Sequence, residues 1–114
     1  MDILDDEKVK ALPKLYSQEH VDDPIITVRF WHICSDWYWY PTEYSPEDGL
    51  FFGYVRGFEG ELGYFSVAEF QETEDHTGLP FMVDDEFKPT PLSEVKKLPN
   101  RKMPDQGVTV IIIV

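Results

Sequence analysis

Apolar and polar side chains alternate along residues 25–33. Ile26, Val28, Phe30, His32 and Cys34 fall on one side and Thr27, Arg29 and Trp31 on the other, the period of two that predicts a strand. A second strand is predicted over 37–44, where Trp37 and Trp39 oppose Tyr38, Tyr40 and Thr42. Pro41 lies inside it and calls for an edge position or a bulge, because proline has no N–H to give a ladder. Ser45-Pro46-Glu47-Asp48-Gly49 carries proline and glycine where a turn uses them, and residues 50–58 read as a third strand of a meander. Gly53, Gly57, Gly60 and Gly63 then predict twist, a bulge or close backbone approach near 57–63.

The helical signals are short. Residues 2–11 place acids early and Lys8 and Lys10 late, the order that complements a helix dipole, and Pro13 limits the run. Ser66 with Glu69 three residues on forms a capping box for a helix over 67–72. Residues 74–85 read as loop, a further helix is expected near Ser93, 100–107 is rich in turn formers, and 108–114 has the composition of a buried strand. The fold class that follows is α+β: one compact domain over 1–114, a small twisted antiparallel sheet with short helices at its margins.

Charge adds a second layer to this pattern. From Phe30 to Phe87 there are thirteen carboxylates and one basic side chain, Arg56, so this stretch equals the whole formal net charge of -12. The flanks are nearly balanced or mildly basic. Such a field repels nucleic acid and anionic membrane and steers cationic partners, which makes the basic surface of a protein the expected partner, with acidity for solubility alone as the competing explanation. The single cysteine, Cys34, excludes an internal disulfide and a multi-cysteine zinc site. No charged n-region precedes an apolar run at the amino terminus, so residence in the cytoplasm is expected.

Catalytic chemistry finds little footing. Glu59 and Glu61 would share a side of an extended segment, yet no third group completes an acid–base site, so a solvated acidic turn is favoured. His32 and Cys34 alternate on a strand face that also carries Ile26, Val28 and Phe30, which favours a packed histidine and a small buried cysteine over a nucleophile with its base. The clusters His20, Asp22, Asp23 and Glu74, Asp75, His76 lack metal-ligand spacing. No catalytic residue, metal or cofactor is therefore expected. The rings from Trp37 to Tyr40 occupy both faces of one strand, so the face that does not enter the core is available to a protein partner. Base stacking is disfavoured because cationic neighbours are missing.

The segments LPKLY at 12–16, WYPTEY at 39–44, FFGYVRGFEGELGYFSVAEF at 51–70 and FKPTPLSEV at 87–95 together resemble a bacterial single-domain family of unknown function. That family is carried on plasmids and other mobile elements, often near antirestriction genes. The blocks at 63–66 and 87–92 are its most specific parts, and residues 106–114 fall outside its pattern. It supplies no catalytic residues to carry over. The resemblance and the charge together imply an acidic interaction module, an inhibitor of a host defence nuclease or another nucleic-acid-binding protein through a DNA-mimicking carboxylate surface. Its contact residues would be Glu59, Glu61, Glu69, Glu72, Glu74, Asp75, Asp84, Asp85 and Glu86, with Trp37 and Trp39. The alternative is a small-molecule-binding domain or enzyme using the stretch from Glu59 to Ser66.

Overall fold

A computed structural model describes residues 1–103. The predicted strand at 108–114, with the rest of the tail from 106, lies outside the described residues. Five strands form an antiparallel sheet in the order β5-β4-β3-β2-β6: β2 Phe30–His32, β3 Tyr38–Ser45, β4 Leu50–Arg56, β5 Gly60–Ser66 and β6 Phe81–Val83. The short strands β1 Ile25–Ile26 and β7 Thr90–Pro91 pair separately. The helices are a 3-10 turn at Asp2–Asp5, α1 Glu7–Lys10, α2 Val67–Thr77 and α3 Leu92–Val95. This is the α+β class expected from the sequence, with the meander extended to four consecutive strands and β6 returning beside β2.

Two apolar layers hold the sheet. On one face Phe30, Tyr44, Phe51 and Phe65 meet Phe70 from α2 and Ile3 and Val9 from the amino-terminal turns. Phe70 stacks on Phe81 with ring centroids 3.8 Å apart and meets Trp39 edge-on at 5.4 Å. Burial of a ring of this size stabilises the fold by about 1.5–3 kcal/mol, and with the partly buried Val67 it seats a mostly polar helix. On the other face Tyr40 and Tyr54 pack with Ile26, Leu92 and Val95.

The run at 25–33 is not one strand. Alternation survives, since Ile26, Val28, Phe30 and His32 are all buried, but Ile26 joins one layer while Val28 and Phe30 join the other. The chain bends between them, and Arg29 packs over Tyr38 and pairs with Asp84, both side chains largely buried. The face also ends at His32: a turn follows, in which Ser35 N–H donates to the His32 carbonyl, and Cys34 is exposed rather than buried. The predicted amino-terminal helix is likewise split, because Asp6 is extended and caps α1 by accepting from Lys8 N–H at 2.8 Å.

Pro41 lies in a central strand, and the register shifts between Pro41 and Glu43, the bulge that its missing N–H calls for. The capping box is present, with Ser66 Oγ accepting from Glu69 N–H and Glu69 Oε1 accepting from Ser66 N–H, each at 3.0 Å. The helix it starts runs five residues beyond the expected end, to the left-handed Gly78 (φ 71°). Two elements replace expected loop or turn: β5, where Gly60, Glu61 and Gly63 mask the alternation, and β6, a strand of three residues.

Candidate functional site

Helix α2 carries Glu69, Glu72, Glu74 and Asp75 and no Lys or Arg. Glu69, Glu72 and Asp75 are exposed, whereas Glu74 Oε2 accepts the Phe81 N–H at 2.7 Å and fixes the start of β6. Spacings of three place Glu69 beside Glu72, and Glu72 beside Asp75, on one helical flank, where like charges destabilise. Glu74 and Asp75 also sit near the carboxyl end, where the macrodipole is negative. Ser66 and Glu69, at the opposite end, are placed favourably, and Asp75 gains one hydrogen bond from Gln71 Nε2 at 3.0 Å. The like charges around Glu72 nevertheless oppose the stability of this helix.

Glu61 shares this side of the sheet. It pairs across the ladder with Val55, which packs against the layer that α2 covers. Glu59 is in the β4–β5 turn. Together with Trp37 and Phe58 these two carboxylates line a shallow depression of about 340 Å³. Phe58 is 95% exposed and meets Trp37 edge-on at 5.6 Å. Trp37 lies flat over Gly57, where a Cβ would come within 2.8 Å of the indole, so the glycine is what lets the ring settle. Trp39, the other predicted contact, is drawn inward between Phe70 and Phe81, and Trp37 touches it from outside at 5.9 Å.

The remaining predicted acids divide. Asp84 binds the Arg29 guanidinium, which also lies over the Tyr38 ring at 3.9 Å and near Phe87 at 4.9 Å. Burial by itself would lower the Arg29 pKa, but hydrogen bonds to Tyr40 and Asp84 outweigh it and hold that pKa above its usual value. Burial also raises the Tyr40 phenol. Asp85 and Glu86 are exposed at the end of β6, with Asp85 near Asp2, Asp5 and Asp6. Among the described residues the ion pairs are Lys10–Glu7, Arg29–Asp84 and Lys97–Glu94, so of the thirteen central carboxylates Asp84 alone has a cationic partner there.

His32 is locked within the fold. Its Nε2 is 3.0 Å from the Leu79 carbonyl and its Nδ1 accepts the Cys34 N–H at 3.2 Å, which together assign the neutral tautomer protonated on Nε2. Asp23 accepts from Ser93 N–H (2.8 Å) and Ser93 Oγ (2.7 Å); these bonds tie the loop to α3 and lower the Asp23 pKa. No group of three metal-ligating side chains occurs among the described residues.

A second concavity, about 320 Å³, opens on the opposite face of the sheet, and sequence reading did not identify it. Its floor is Glu43, only 4% exposed, whose two carboxylate oxygens accept the Tyr16 N–H at 2.8 Å and the Gln18 N–H at 2.7 Å. Tyr16 takes a positive φ of 70°, and Tyr44 N–H donates to the Pro13 carbonyl at 2.9 Å. The segments at 12–16 and 39–44 are thus joined here. Phe52 and Tyr64, on paired strands, set their rings edge to face at 5.0 Å. Desolvation, with Tyr16, Glu19 and Glu43 nearby, raises the Tyr64 phenol. The available signal was Glu43, the one charged residue in the strand Tyr38–Ser45.

No helix among the described residues is long and apolar enough to cross a membrane. No curated protein and no solved structure matches the chain. The segments that suggested kinship run from the amino-terminal turns through β5, α2 and α3, and the matched region spans all of them: over residues 3–102 the chain belongs to the family described as Protein of unknown function (DUF2958).

Proposed function

We propose that this protein is an acidic interaction module that binds the basic surface of another protein through the α2 side of its sheet. The observation that carries the proposal is the row Glu69, Glu72 and Asp75, exposed on a helix without Lys or Arg, where the charges repel one another. Helix stability accounts for Glu69, which completes the capping box, and for Asp75, which accepts from Gln71, but not for Glu72 placed between them. A cationic surface would relieve the repulsion, and the Trp37–Phe58 patch beside Glu59 and Glu61 supplies apolar contact next to the charge.

The partner class favoured is a nucleic-acid-binding enzyme, such as a host defence nuclease, whose groove would take carboxylates in place of phosphates. Release of counterions from a cationic groove drives association with either polyanion. The resemblance to a family found on mobile elements near antirestriction genes points the same way. The alternative, a small-ligand domain built on residues 59–66, draws support from Leu62 and Tyr64, which line the 320 Å³ concavity.

The test is affinity capture from a host lysate by the wild type and by E61K/E72K/D75K, with Glu69 and Glu74 left intact because they cap α2 and anchor β6. The wild type should retain a basic protein that elutes between about 50 mM and 200 mM salt, and the variant should retain none of it. Equal retention by both, insensitive to salt, would reject the proposal.

A further inference from the structure

The chain holds one arginine in a site that shows what such a site needs. Arg29 lies over the rings of Tyr38 and Phe87 and pairs with Asp84. A planar guanidinium suits this combination because its faces stack on aromatic rings while its edge donates to a carboxylate. Glu43, Tyr16, Phe52 and Tyr64 bring the same ingredients together around the 320 Å³ concavity, with Glu19 and Asp22 at its margin. No Lys or Arg lines it.

Its geometry is open rather than filled. Tyr16, Leu62 and Tyr64 are each at least half exposed, so apolar surface faces solvent around a buried negative charge. Glu43 is satisfied by two backbone N–H groups, which hold its carboxylate in place, and each oxygen retains a second lone pair. Phe52 meets Tyr64 edge to face and props its ring, so the half-exposed Tyr64 is the aromatic face offered to an occupant. A neutral apolar occupant would leave the carboxylates of Glu19 and Asp22 desolvated without a counter-charge, and an anion would be repelled by these two and by Glu43.

We infer that this concavity receives an arginine side chain presented by the protein partner, the guanidinium stacking on the exposed Tyr64 ring with its edge toward Glu43. The inference rests on the basic-partner reading for the source of the arginine, but the pocket is on the opposite face of the sheet from the α2 carboxylates, so the two fail separately.

The test titrates the full chain with acetyl-Gly-Arg-Gly-amide and with its lysine and citrulline counterparts, following backbone amide resonances by NMR. Saturable shifts should centre on Tyr16, Leu62 and Tyr64. The arginine peptide should bind at least about tenfold more tightly than the citrulline peptide, which has the same shape without charge. Y64A, at a half-exposed position, should abolish the shifts, and E72K/D75K should leave them unchanged. Equal binding of arginine and citrulline peptides, shifts confined to α2, or no saturation would overturn the inference. Loss of partner capture by the α2 variant together with a silent pocket would sink this inference alone.

Discussion

Glu72 is the centre of the repulsive row on α2, and reversing it tests whether stability was sacrificed there. Glu69 lies three residues before it and Asp75 three after, all exposed. Each like-charge pair on a helix surface costs about 0.2–0.5 kcal/mol, and an attractive pair at the same spacing stabilises by a similar amount. Glu72→Lys converts both pairs, so the gain ranges from about 0.8 to 2 kcal/mol, and solvent exposure favours the lower end, about 1 kcal/mol. Glu72 is mid-helix, so the macrodipole adds little. For a domain of this size that gain raises Tm by about 4–8 °C. Urea denaturation at about 20 mM and about 0.5 M salt measures it, and most of the gain should vanish at the higher salt, where the Debye length is only a few ångströms. Glu72→Gln, which removes repulsion without adding attraction, should show about half the effect. A destabilised Glu72→Lys, or a gain independent of salt, would refute the electrostatic argument. The same variant should bind the captured partner less well, so that stability and binding move in opposite directions.

Two further substitutions probe the opposite face. Glu43→Ala removes the acceptor for the Tyr16 and Gln18 N–H groups and should cost about 2–4 kcal/mol in urea denaturation, with hydrogen exchange at those two amides rising first; unchanged exchange would show that Glu43 does not hold the loop. Asp23 has its pKa lowered from 3.8 by Ser93, so its stabilising contribution is complete above that value and is lost as pH falls through the lower, folded-state pKa. The stability gap between the wild type and Asp23→Ala should therefore be wide near neutral pH and narrow in acid, and a gap constant with pH would contradict the Asp23–Ser93 linkage.

Local rules made much of the molecule legible before any coordinate. Period-two alternation marked β3 and β4, proline and glycine marked the turn between them, and Ser66 with Glu69 marked the start of α2. Each of these signals is complete within about ten residues, because caps, turns and pleats depend on near neighbours. The charge asymmetry was equally visible, being a property of composition.

Tertiary structure decided what lay beyond that range. Alternation placed Trp37 and Trp39 on one face but did not show that Phe70 and Phe81 would close over Trp39 while Trp37 packs outside it beside the exposed Phe58. Nor did it show that the run at 25–33 would bend from one layer to the other, a bend in which Arg29 meets Asp84 across 55 positions of sequence. Cys34 left the buried face because the strand ended at His32. The Glu43 concavity is the clearest case: its floor accepts N–H groups 25 and 27 positions away, and its walls come from two strands and a loop. A carboxylate becomes a pocket floor only when distant backbone folds over it, so the sequence showed the charge while the packing of loop on sheet made the site.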